Sequence, residues 1–117
     1  MGFKKIMVTG GSGFIGSHLV DKLIESGYEV IIYDINEPLF KNNYKYIKGD
    51  VLDLNFLKLS TKNVDAVYHL AAEANVNYYY QNPQYSTVLN TIGTVNVLEA
   101  ARENKIGRVL FASSRHC

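Results

Sequence analysis

The stretch from Lys4 to Asp34 constrains the fold more than any other part of the chain. Lys5 to Thr9 is a short apolar run that stops at Gly10-Gly11-Ser12-Gly13, which reads as a buried strand feeding a tight turn. Ile15, Leu19, Val20, Leu23 and Ile24 then recur as the stripe of an amphipathic helix. Ser26-Gly27 ends it. Glu29 to Asp34 encloses the unbroken run Val30-Ile31-Ile32-Tyr33, as suits a parallel strand covered on both faces.

The remainder repeats this alternation. Asn36 to Asn43, with Pro38, reads as a loop. Tyr44 to Lys48 reads as a third strand closed by Gly49-Asp50, and Leu54 to Leu59 as a short helix. Asp65 to Leu70 is a fourth apolar strand. A long helix is expected from Pro83 to about Asn104, with Val88, Ile92, Val95, Leu98 and Ala101 on one face. Gly107 breaks it, and Val109 to Ala112 is a fifth strand. Strands alternating with helices imply an α/β domain with a parallel sheet. Right-handed crossovers then favour a doubly wound sheet of order 3-2-1-4-5.

Composition narrows the function classes. At 117 residues, 47% of them hydrophobic, the chain suits one globular domain. The net charge is +1 and Lys and Arg are scattered, so no basic stripe points to a nucleic-acid partner. The one cysteine, Cys117, allows no internal disulfide framework and no Cys-rich zinc site. It fits a reducing compartment. No apolar run approaches the roughly 20 residues that span a bilayer, and Met1 to Lys5 lacks the form of a signal peptide. A cytoplasmic location with no membrane partner is expected. Gly2 does not make a myristoylation site, because Ile6 stands where that motif needs Ser or Thr.

The glycines at 10, 13 and 16 each have a physical task. Gly10 permits the tight turn out of the strand. Gly13 lets a pyrophosphate approach the backbone, where a Cβ would collide with it. Gly16 lets the helix pack close to the sheet. The N–H groups of the first helical turn, aided by the helix dipole, then face the phosphates. An ordinary strand-to-helix turn could show the same glycines, but the strand before, the helix after and the acid ending the second strand favour dinucleotide binding. A phosphate-loop nucleoside triphosphatase is excluded, since Ser17 stands where that motif needs Lys. Asp34 can accept hydrogen bonds from the adenosine ribose hydroxyls and would repel the 2′-phosphate of NADP. Ile35, Asn36, Glu37 and Pro38 follow, with no Arg to offset that charge. NAD is therefore expected over NADP; the plainer alternative is a strand-end aspartate facing water.

The segment Thr9-Gly10-Gly11-Ser12-Gly13-Phe14-Ile15-Gly16-Ser17-His18 resembles the signature of the extended short-chain dehydrogenase/reductases, and more narrowly that of the NAD-dependent nucleotide-sugar epimerases and dehydratases. Gly49-Asp50-Val51, His69-Leu70-Ala71-Ala72, Asn90 through Arg102, and Phe111-Ala112-Ser113-Ser114 agree in order and spacing. UDP-glucose 4-epimerase-like enzymes are the nearest match. The resemblance implies a Rossmann-type fold with bound NAD. It also implies a nucleotide-sugar substrate and a homodimer for the full-length members. Phe14 and Ile15 would offer N–H groups to the pyrophosphate, and Asp34 and Asn36 would lie along the ribose. Asp50 would bond the adenine amino group with Val51 beside the ring. Leu70, Ala71 and Ala72 would pass under the cofactor. Asn90 would face the cofactor or brace that strand end. Ser114 matches the catalytic Ser/Thr that hydrogen-bonds the sugar hydroxyl being oxidised. His69 reads as structural rather than as a base, and Tyr78-Tyr79-Tyr80 as a loop near cofactor or substrate.

The family's chemistry also needs a Tyr-x-x-x-Lys pair on the helix after the fifth strand. Cys117 precedes that helix, and Arg115-His116-Cys117 replaces the usual continuation. Tyr44 and Lys48 have the spacing but lie on an expected strand, where they would be ~13 Å apart. Residues 1–117 are thus expected to be an incomplete NAD-binding domain, truncated after the fifth strand and without the substrate-binding domain. A truncated or frame-disrupted gene product and a deliberate fragment are both open. The expected behaviour is cofactor binding without catalysis, with a non-catalytic NAD-binding or regulatory module as the rival. Apolar sheet surface near strands four and five should lie uncovered.

Overall fold

In a computed structural model, residues 4–70 and 83–111 are described. The apolar runs form the five expected strands: β1 (Lys5–Thr9), β2 (Glu29–Asp34), β3 (Tyr44–Lys48), β4 (Ala66–His69) and β5 (Arg108–Phe111). They make one parallel sheet of order β3-β2-β1-β4-β5. The helices are α1 (Phe14–Glu25), α2 (Leu54–Ser60) and α3 (Pro83–Glu103). Boundaries differ from the sequence reading by a residue or two, as helix and strand ends commonly do.

Alternate strand residues divide the core into two layers, as the two-residue period of a strand requires. Ile6, Val8, Val30, Ile32 and Ala66 pack with Val20 and Leu23 of α1. Met7, Ile31, Tyr33 and Val67 pack on the other face with Leu57 of α2 and Val97 and Ala100 of α3. The register pairs Thr9 with Tyr33 on one side and with His69 on the other. Gly10, Asp34 and Leu70, the next residue of each strand, therefore leave the sheet side by side. They do so at the carboxyl edge, where the order reverses between β1 and β4, the usual ligand crevice of doubly wound sheets.

The long helix differs from expectation in which face it buries. Val88, Ile92, Val95 and Leu98 are 44–54% exposed, and only Ala101 of the expected stripe is buried. Gly93, Asn96, Val97 and Ala100 face inward instead. The cause is a close crossing: a Cβ on Gly93 would lie 2.8 Å from Val51 Cγ2. Small residues line the approach, and the larger apolar ones are turned away. Asn104 donates from Nδ2 to Lys58 O (2.9 Å) and Thr61 Oγ1 (2.8 Å), tying the end of α3 to the end of α2. At the opposite edge of the sheet, Asp65 accepts from the N–H groups of Lys4 and Lys5. Among the described residues no helix is long and apolar enough to cross a membrane, and no cluster of side chains could hold a metal ion.

Candidate functional site

The glycine-rich turn leaves β1 through Gly10, whose φ of 74° is strained for a residue with a side chain. The Gly10 N–H donates to Tyr33 O (3.0 Å), and Gly13 N–H donates back to Gly10 O (3.2 Å). A Cβ on Gly16 would overlap the backbone of Gly10 and Gly11, so this glycine lets α1 close onto the turn where β1 ends. Gly13 is the N-cap and supplies no side-chain acceptor. The N–H groups of Phe14 and Ile15 have no acceptor among the described residues, and both residues are largely exposed. A Cβ on Gly13 would find only Gly10 O, at 3.5 Å, leaving the outer side of the turn open. Open N–H donors at the positive end of a helix are suited to an anion.

Asp34 ends β2 half-buried, with both carboxylate oxygens engaged. Its Oδ2 accepts from the Ser12 N–H (3.0 Å) and its Oδ1 from the Asn36 N–H (2.9 Å). Ser12 Oγ also donates to Asn36 O (2.7 Å). The carboxylate thus locks the glycine turn to the loop after β2. Each carboxylate oxygen can accept more than one hydrogen bond, so capacity remains for ribose hydroxyls.

Asp50 and Val51, just after β3, are braced by residues that sequence reasoning missed. Tyr33, fully buried, donates its hydroxyl to Asp50 O (2.9 Å). Burial, and then the charges of Asp53 and Asp50, push that hydroxyl above its usual range and keep it a donor. Asn96 Nδ2 donates to Val51 O (2.9 Å), and Leu52 N–H occupies Asp50 Oδ1 (2.9 Å). No hydrogen bond among the described residues engages Asp50 Oδ2 or the N–H of Val51. An acceptor beside a donor on consecutive residues matches the amino group and ring nitrogen of an adenine. Gly49 is required here, since a Cβ would run into the Tyr33 ring. A polar Asn on the inner face of α3 and a Tyr inside an apolar strand were the available sequence signals.

At the end of β4, the Leu70 N–H lies 3.0 Å from Thr9 O and 3.1 Å from Thr9 Oγ1. His69 is buried, with Nδ1 2.7 Å from Thr9 Oγ1 and Nε2 3.3 Å from Thr94 Oγ1. The Phe111 ring meets it edge-on at 5.8 Å. Burial lowers the imidazole to about 4, which leaves it neutral near pH 7 and unsuited to act as a base there. Asn90, half-buried on α3, accepts from Thr94 Oγ1 at its carbonyl (2.7 Å). Ala71, Ala72, Tyr78, Tyr79, Tyr80 and Ser114 lie outside the described residues. Tyr44 and Lys48 are both on β3, with Tyr44 donating to Phe40 O, so that Tyr-x-x-x-Lys match has no place at the crevice.

Sheet order, crossover helices and the glycine turn define a Rossmann-type doubly wound domain. Residues 6–117 match the NAD dependent epimerase/dehydratase family, and the chain belongs to it. It is 45% identical over 114 residues to a Methanocaldococcus jannaschii protein named "Putative UDP-glucose 4-epimerase", covering 93% of this chain and 37% of that protein. It is 37% identical to UDP-glucuronic acid decarboxylase 1 of Danio rerio, covering 95% of this chain and 27% of that one. The crystal structure of UDP-glucose 4-epimerase from Brucella ovis in complex with NAD superposes with a TM-score of 0.89 at 32% identity. That match covers 96% of this chain and 36% of the other. The chain thus spans between about a quarter and a little over a third of these relatives' lengths, and the family it belongs to is NAD-dependent.

Proposed function

We propose that residues 1–117 are the NAD-binding portion of a nucleotide-sugar epimerase or dehydratase of the UDP-glucose 4-epimerase type. The observation that carries this reading is the Asp34 carboxylate, fixed by Ser12 N–H and Asn36 N–H beside the open donors of the glycine turn. Phe14 and Ile15 would hold the pyrophosphate through their N–H groups, with Gly13 leaving room for it. Asp34 and Asn36 would take the ribose, Asp50 and Val51 the adenine, and Leu70 with Asn90 would line the crossing. By the family resemblance Ala71 and Ala72 would join that line, and Ser114 would contact the sugar hydroxyl. When bound, NAD supplies the hydride acceptor for transient oxidation at C4 of the sugar.

These residues orient and hold, but moving the sugar hydroxyl's proton needs a tyrosine with a lysine one helical turn away. Neither the Tyr44–Lys48 pair nor buried His69 serves. Isothermal titration should show NAD binding to the 117-residue chain, with NADP at least about tenfold weaker because a 2′-phosphate would meet the Asp34 carboxylate. No UDP-glucose turnover is expected. Equal or tighter NADP binding would remove the Asp34 argument, and measurable epimerisation would overturn the assigned division of labour.

A further inference from the structure

His69 is buried at the carboxyl edge of the sheet, and the assigned cofactor contacts leave it unused. Its hydrogen bonds nevertheless run in one direction. Thr94 Oγ1 donates its one proton to Asn90 O at 2.7 Å. Toward His69 Nε2, at 3.3 Å, it can present only a lone pair, so Nε2 carries the hydrogen. Burial keeps the ring uncharged near pH 7, which leaves Nδ1 bare to accept from Thr9 Oγ1 at 2.7 Å. Thr9 Oγ1 in turn accepts from Leu70 N–H at 3.1 Å. Among the described residues the relay runs from Leu70 N–H to Thr9, from Thr9 to His69, from His69 to Thr94, and from Thr94 to the Asn90 carbonyl.

The relay joins three elements that border the crevice. Leu70 is where β4 turns out beneath the proposed dinucleotide path, Thr9 precedes the glycine turn, and Asn90 sits one helical turn before Thr94 on α3. The sheet hydrogen bonds fix β1 against β4 but do not reach α3. We propose that His69, held as the Nε2–H tautomer, is a positioning residue that couples the Asn90 turn of α3 to the dinucleotide-facing ends of β1 and β4. The proposal rests on the NAD-binding reading above.

The test uses the full 117-residue chain with 15N-labelled histidine, in wild type, Thr94→Val and Thr94→Ser. Wild type should show a protonated Nε2 and a bare Nδ1 in ring nitrogen spectra. Thr94→Val conserves shape, removes the acceptor for Nε2–H, and should weaken NAD binding by about fivefold, the worth of one hydrogen bond. It should also disturb the tautomer signature, and Thr94→Ser should restore both. A wild-type Nδ1–H tautomer overturns the proposal without needing any variant. So does a Thr94→Val protein that melts earlier but keeps NAD affinity within about twofold. Wild type that binds no NAD sinks the functional reading, and an Nε2–H signature in that same sample would reduce the relay to a structural brace.

Discussion

Asp34 does two things with one carboxylate: it closes the glycine turn through Ser12 and Asn36, and it keeps acceptor capacity facing the crevice. His69 does the opposite, spending both ring nitrogens inside the protein. For His69 this burial shows in its pH behaviour. Burial lowers His69 from 6.5 to about 4, so between those values the unfolded chain binds more protons than the folded one. Stability should therefore rise with pH across that window and be lost as pH falls through it, with a ceiling of roughly 3 kcal/mol. Asp65 titrates separately: hydrogen bonds from the N–H groups of Lys5 and Lys4 lower it below the usual carboxylate range, so its contribution is lost only in stronger acid. Urea unfolding of wild type and His69→Gln across the His69 window should show the slope in the first and a flatter profile in the second.

At the level of elements, α1 is placed by contact with the turn that precedes it. In an ordinary helix Gly→Ala gains up to about 1 kcal/mol. In Gly16→Ala the new methyl would enter the Gly11 Cα and the Gly10 carbonyl, which accepts from the Gly13 N–H. Overpacking then outweighs propensity, and a net loss of about 1–3 kcal/mol is expected in urea unfolding. NAD binding should fall in parallel, because relieving the overlap moves the open N–H groups of Phe14 and Ile15. A neutral or stabilised Gly16→Ala would show that the turn can retreat. Helix α3 follows the same logic on the other face of the sheet, where Gly93 admits Val51 and Asn96 grips the Val51 carbonyl.

Across the whole molecule, two apolar layers enclose the inner strands, while the surface beyond α3 stays apolar. Val88, Ile92, Val95 and Leu98 line one helical face at 44–54% exposure, and Phe111 at the end of edge strand β5 is 47% exposed. Contiguous apolar surface of this kind promotes association. Sedimentation velocity should show the 117-residue chain self-associating as its concentration rises. Val95→Lys, on that outer face, should reduce association without lowering the melting temperature. A wild-type monomer at all concentrations would count against this.

Short-range patterns in the chain determined a good deal. Strand β1, its turn, α1 and β2 follow from apolar periodicity and from glycines whose neighbours in sequence are their neighbours in space, and strand order follows from crossover handedness. Asp34, Asp50 and Val51 could be singled out by position and by family resemblance. What tertiary structure decided depends on partners far apart in sequence. Tyr33 and Asn96 bracing the Asp50–Val51 edge and the outward-turned stripe of α3 depend on which surfaces meet. The direction of the Thr9–His69–Thr94 relay is of the same kind. Periodicity marks an apolar face but not which neighbour comes close, and a hydroxyl or imidazole acquires a direction only from the groups across from it.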